Sequence, residues 1–275
     1  MSITTADIVK LRKMTGAGMM DCKNALTEAD GDFERAVEII RERGKLVASK
    51  RADRDATEGV VLAKVSEDKK FGAIVVLNCE TDFVAKNEGF IAFTNQILDS
   101  AISNKPATLD ELKNLKIDGR SIGDRVVEQI GIIGEKLDLS FYGKIVAETV
   151  FAYVHPGNKL ATVVGFSKPD VETQLGKDVA MQVAAMNPIA VNRESVPQNV
   201  IEKELEIARE KFRLEGKPEA MLDKIAQGAL QKFFQESTLL EQAFIKESKI
   251  SVRQYIDQNN KGLSVTGFER FALDA

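Results

Sequence analysis

The sequence predicts an α+β protein, and three observations carry that prediction. A strand, turn, strand, helix pattern occurs twice in the middle of the chain. Short helical runs broken by glycine fill residues 4–43, and two amphipathic helices joined by Glu215-Gly216-Lys217 follow the second repeat.

The first element begins near Thr5, which can cap a helix carrying Ile8, Val9 and Leu11 up to the break Gly16-Ala17-Gly18. The second carries Met19, Met20, Cys22, Ala25, Leu26 and Ala29 and stops at Asp30-Gly31, where glycine accepts a left-handed backbone. The third is predicted over Asp32–Arg43, with Gly44 beyond its end. So small a unit buries little surface and needs something to dock on. Met19 and Met20 are compatible with core filling, but neighbouring helical residues do not share a face, so one should look outward as an adaptable contact. Residues 45–57 hold Lys45, Lys50, Arg51 and Arg54 and read as a solvated linker or a partner contact.

The first repeat has strands over Gly59–Val65 and Phe71–Asn78, then a helix that Asn87 can cap, carrying Phe90, Phe93, Ile97, Leu98 and Ala101. Thr108 with Glu111 and Ser121 with Asp124 signal two more helix starts. The second repeat has a long strand over Ile145–Val154, the turn His155-Pro156-Gly157-Asn158, a strand over Lys159–Gly165, and a helix through Leu175, Val179, Val183 and Met186 that ends near Pro188. The helix ended by Gly216 and the one opened by Pro218 then form an antiparallel hairpin. Its apolar seam serves either to hold the pair together or to associate with a second copy. The tail VTGFERFAL is too apolar to hang loose and should rejoin a sheet.

Composition excludes several function classes. The 275 residues carry 38 Lys plus Arg against 42 Asp plus Glu, a net charge of −4, which argues against a broad nucleic-acid face. The 14 Phe and 3 Tyr are not interleaved with basic residues, so no stacking platform for single strands is predicted. Cys22 and Cys79 show no CxxC spacing and fit reduced thiols. Asp7, Lys10, Arg12 and Lys13 interrupt any N-terminal targeting core, and no run is long enough to span a bilayer. The expected location is the cytoplasm, with a processed organellar form as the alternative.

Three catalytic signatures are missing: no GxxxxGK[ST], GxGxxG or HExxH occurs, and one histidine builds no metal cluster. No metal or cofactor is expected. Cys79 and His155 form a thiol–imidazole pair on paper, but the sequence offers neither a group to orient the base nor oxyanion donors. Asp82-Phe83, after the second strand of the first repeat, reads either as a helix-start acid beside a core ring or as an outward probe. His155, in the hairpin of the second, reads as a turn residue bonding backbone or as a contact. Such placements suit a binding machine better than an enzyme. An adaptor using the N-terminal helices is the alternative, and a cysteine hydrolase a weaker one.

Two stretches, LRKMTGAGMMDCK at Leu11–Lys23 and NCETDFVA at Asn78–Ala85, resemble the bacterial elongation factor Ts family of nucleotide exchange factors for elongation factor Tu. The order of the remaining parts is similar too, down to Val265-Thr266-Gly267-Phe268 near the end. The resemblance implies a ubiquitin-associated-like three-helix domain with its basic linker over residues 1–52 and a core subdomain over 53–140. A second subdomain over 141–198 and 236–275 would carry the projecting antiparallel hairpin, 199–235, as an insertion. It implies that Thr81, Asp82, Phe83 and Val84 disturb the partner's magnesium site so that GDP leaves. Arg12, Met19, Met20, Lys23 and His155 would be further partner contacts, and the hairpin a dimerisation element. The chain itself would bind no nucleotide, nucleic acid or membrane. Val76 stands where the family usually has a glutamate, and Asn158 where it usually has a glycine. Some members continue past the position of Ala275 into a helical module, which implies a smaller partner interface here.

Overall fold

The structure, a computed structural model, describes residues 3–273; the outermost ends of the expected domains, residues 1–2 and 274–275, lie outside them. The chain divides into two compact units, one of residues 1–62, 75–142 and 272–275, the other of residues 63–74 and 143–271. Helix and sheet are mixed throughout, as the α+β prediction requires.

The first unit opens with α1 (Thr5–Thr15), α2 (Met19–Glu28) and α3 (Phe33–Lys50). Thr4, not Thr5, caps α1: its hydroxyl accepts from the Asp7 amide while the Asp7 carboxylate accepts from the Thr4 amide. A cap at Thr5 would have Ile8 three residues on, with no carboxylate to return the bond. Leu11, Cys22, Ala25, Leu26, Ala36 and Ile39 are the centre of a small core. The third helix does not end at Arg43. It continues through Gly44, which is buried, to Lys50. Glycine is tolerated inside this helix because its bare backbone packs on Gly131 of α7 (Ile122–Ile133). A three-helix unit with so small a core thereby gains the docking surface it needs.

Strands β1 (Glu58–Val65) and β2 (Phe71–Cys79) follow, and β2 is buried at every position, Val76 included. A glutamate at 76 would need a partner in this environment; valine needs none. Beyond β2 come the single turn α4 (Asp82–Ala85) and α5 (Glu88–Asn104), capped by Asn87 as predicted. Helix α6 (Leu109–Asn114), capped by Thr108, leads through the short strands β3 (Lys116–Ile117) and β4 (Arg120–Ser121) into α7, capped by Ser121. The predicted long strand over Ile145–Val154 is two strands, β5 (Asp138–Val146) and β6 (Thr149–Val154). The break lies where Ala147 and Val150 donate their amides to the carbonyls of Lys70 and Lys69. The first sheet has the order β1-β2-β5.

In the second unit β6 pairs antiparallel with β7 (Leu160–Phe166), from Thr149 opposite Phe166 to Val154 opposite Ala161. Asn158 in their turn has φ of 56°, a left-handed conformation that asparagine tolerates where a glycine is usual. Helix α8 (Thr173–Met186) packs on this sheet, and Gly176 is required because a β-carbon there would lie 2.2 Å from the Phe151 ring. Helices α9 (Gln198–Leu214) and α10 (Glu219–Ser237) form the predicted hairpin, sealed by Ala208, Leu222, Ala226 and Leu230. The strands β8 (Ala243–Phe244) and β9 (Glu247–Ser251), then α11 (Val252–Asn259), precede β10 (Val265–Ala272). The tail does rejoin a sheet, in the order β10-β7-β6. Among the described residues no helix is long and apolar enough to cross a membrane.

Candidate functional site

The end of β2 carries a projecting tip. Asn78 is buried and bridges the neighbouring strands, its amide donating to the Glu58 carbonyl in β1 and its carbonyl oxygen accepting from Ser140 in β5. Cys79 is buried too, and its thiol donates to the Thr81 carbonyl. Burial pushes that thiol up to about 12, so it keeps its proton at neutral pH. One residue later the chain leaves the core. Thr81 caps α4, and Phe83 projects with 83% of its surface exposed. A ring so exposed adds nothing to the chain's own core and is available to another molecule. The core-ring alternative for Phe83 is excluded.

Asp82 lies in the first turn of α4, where its charge meets the helix N-terminus. Its carboxylate accepts from Lys86 at 2.6 Å, with side chains 42% and 74% exposed. An exposed pair of this kind contributes at most about 1 kcal/mol and exchanges readily for another partner. Val84 is half-buried under the tip, and its amide donates to the Thr81 hydroxyl.

A reciprocal carboxylate clamp holds the tip. The Glu135 carboxylate accepts from the amides of Glu80 and Thr81 at 3.1 and 3.0 Å and from the Thr81 hydroxyl at 2.7 Å. In return the Glu80 carboxylate accepts from the Lys136 amide at 2.6 Å and from the Arg51 guanidinium at 2.8 and 3.0 Å. The Lys136 ammonium then donates to the carbonyls of Ala52 and Arg54, both at 2.7 Å. Glu80, Glu135 and Lys136 were not among the sequence candidates, and Arg51 counted only as one of four linker cations. Their partners lie 29 to 84 residues away, beyond any local pattern.

The remaining candidates sit elsewhere. Arg12, Met19, Met20 and Lys23 are all exposed, at the end of α1 and the start of α2 in the same unit as the tip. Both methionines face solvent, Met19 at 37% and Met20 at 64% exposure, so the expectation that only one would turn outward is exceeded. His155 is exposed in the β6–β7 turn of the second unit, and its Nδ1 lies 2.9 Å from the Tyr153 hydroxyl.

Comparison with known proteins gives the chain's family. The family model described as Elongation factor TS matches residues 80–275, beginning one residue ahead of the tip. The chain belongs to the elongation factor Ts family. It is 55% identical to Elongation factor Ts of Porphyromonas gingivalis over 277 residues, covering 100% of both chains. It is 50% identical to that of Azobacteroides pseudotrichonymphae over 274 residues, covering 100% of this chain and 99% of the relative. It is 44% identical to that of Cytophaga hutchinsonii over 275 residues, covering 99% of each. Elongation factor Ts proteins are translation elongation factors, which assigns the chain to protein biosynthesis.

Proposed function

We propose that this chain is a guanine nucleotide exchange factor that binds elongation factor Tu in its GDP form and promotes GDP release so that GTP can enter. It acts by binding, without a covalent reaction centre, and in the cytoplasm. The observation that carries the reading is Phe83, a ring 83% exposed at the end of an otherwise buried strand.

In this mechanism Thr81, Asp82, Phe83 and Val84 enter the region behind the partner's magnesium. Phe83 wedges between partner side chains. Asp82, released from its exposed pair with Lys86, sets a negative charge against the phosphate oxygens as the metal's counter-charge is lost. Full burial of one phenylalanine yields about 1.5–3 kcal/mol, at most about 150-fold in an equilibrium constant. The wedge therefore needs help. Arg12, Met19, Met20 and Lys23 on the helical domain of residues 1–52, and His155 on the second subdomain, provide docking energy that is spent on distortion at the tip. Exchange then follows from linkage: a factor that prefers the empty partner weakens GDP by the same factor.

Two further features fit the reading. The Cys79 thiol, held protonated by burial, suits a structural role better than a nucleophilic one. Ile207, Leu214 and Met221 leave apolar surface on the α9–α10 hairpin, which supports its use for self-association.

The test is direct. Adding the chain to elongation factor Tu loaded with fluorescent GDP should accelerate release, saturably with chain concentration. Binding without acceleration would favour the adaptor alternative instead.

A further inference from the structure

We propose that Arg51, Glu80 and Glu135 are positioning residues for exchange, and that α3 is the strut through which docking of the helical domain reaches the tip. The inference rests on the exchange reading and adds residues to which neither the sequence motif nor the family resemblance gives a role.

The argument begins with what holds an exposed ring still. A wedge transmits force only if its base does not yield, and α4 is a single turn of Asp82–Ala85, too short to be stiff by itself. Its stiffness must be supplied from outside. Glu135 supplies it by taking three donors from Glu80 and Thr81 on one carboxylate, all between 2.7 and 3.1 Å. Charge-assisted bonds of this kind are about twice as strong as neutral ones. Three of them at one point fix the direction in which α4 leaves β2.

Glu80 carries the second half. Its side chain is 15% exposed and its ion pair with Arg51 is bidentate in reach, both carboxylate oxygens lying within 3.0 Å of one guanidinium nitrogen. Arg51 is the residue that ends α3, and α3 is one continuous helix back to Phe33. The same helix bears Ala36 and Ile39 of the small core that α1 and α2 share. At its middle, Gly44 packs backbone to backbone on Gly131 of α7, whose following loop holds Glu135 and Lys136. The strut is thus fixed to the body at Gly44 and Arg51, and Arg41 adds an ion pair to Glu128 of α7 at 3.3 Å. Lys136 ties off the free end by holding the carbonyls of Ala52 and Arg54. Docking of the methionine-bearing helices is thus carried without slack along α3 to Arg51 and Glu80, two residues from Asp82, so the tip is held rigid against the partner.

The experiment uses the full chain and elongation factor Tu loaded with fluorescent GDP, at a temperature where melting curves show every variant folded. Glu135→Gln keeps the volume but removes the charge, and Arg51→Gln removes the guanidinium at a half-exposed position. Each should lower the saturating rate of GDP release about tenfold, the equivalent of about 1.4 kcal/mol, while the half-saturating concentration changes less than about twofold, as for an interaction used only in the strained complex. In a Phe83→Ala background neither should have further effect, because both act through the ring. Hydrogen exchange at the Glu80 and Thr81 amides should quicken in Glu135→Gln. The positioning role is overturned if both variants release GDP at the parent rate while Phe83→Ala is slow, or if their effects persist undiminished without the ring. Should the parent chain itself fail to accelerate release, the exchange reading falls and the positioning role falls with it.

Discussion

Gly131 of α7 lies so close to Gly44 of α3 that a β-carbon on Gly131 would sit 2.5 Å from the Gly44 α-carbon, whereas one on Gly44 would meet nothing nearer than 3.6 Å. The contact is therefore asymmetric. Backbone blocks the first substitution, and only ordinary van der Waals contact awaits the second. Gly131→Ala should destabilise the protein by about 1–3 kcal/mol through overpacking. Gly44→Ala should be neutral or stabilising by up to about 1 kcal/mol, since alanine favours helix and the space exists. Urea unfolding of both variants checks this; equal destabilisation would show that the two helices are not packed as described.

That glycine pair also shows where sequence reasoning stops. Gly44 looks like a helix terminator by every local rule, and only the distant Gly131 makes it an interior residue. The same holds for the split at Ala147, which depends on carbonyls of Lys69 and Lys70. By contrast Asn87, Ser121, the α9–α10 hairpin and the returning tail were legible, because caps, periodicity and apolar runs act within a few residues. At the site, Asp82-Phe83 stood out as an acid–aromatic pair, but the clamp under it did not. An arginine, two glutamates and a lysine scattered from 51 to 136 carry no spacing that announces them.

The clamp should be visible in acid. The Lys136 amide, and with it the Arg51 guanidinium, hold the Glu80 carboxyl below its ordinary 4.5 despite its partial burial. With the folded value below the unfolded one, the unfolded chain binds the extra proton, so stability rises with pH across that window. The contribution of Glu80 is present in full above the unfolded value and is lost as pH falls through the folded one. Glu80→Gln removes the titration. The stability difference between parent and Glu80→Gln should therefore be constant near neutrality and shrink as pH drops below 4.5. A difference that grew on acidification would contradict the assigned direction.

Neither cysteine should react while the protein is folded. Both are buried, and the Cys79 thiol is pushed up to about 12. Iodoacetamide at about pH 8, below even the reference thiolate range, should leave the native chain unmodified by mass spectrometry and label both sites once urea has unfolded it. Rapid native labelling of Cys79 would restore the nucleophile that the structure argues against.

The helical domain should contribute rate as well as affinity. Met20 is 64% exposed, so Met20→Glu should cost the isolated protein less than about 0.5 kcal/mol. A charge placed in an apolar contact should weaken association with elongation factor Tu by about tenfold or more, measured by calorimetry, and should also lower the saturating exchange rate, because part of that docking energy is spent at the tip. Unaltered affinity would remove the methionines from the interface.

The central claim concerns one ring. Because Phe83 is 83% exposed, Phe83→Ala should leave the melting temperature of the chain nearly unchanged. Stopped-flow release of fluorescent GDP from elongation factor Tu, at saturating chain, measures what the ring does. The account predicts a release rate at least severalfold slower than with the parent chain, up to the roughly 150-fold ceiling that burying one phenylalanine allows. Release at the parent rate by a folded Phe83→Ala chain would contradict it.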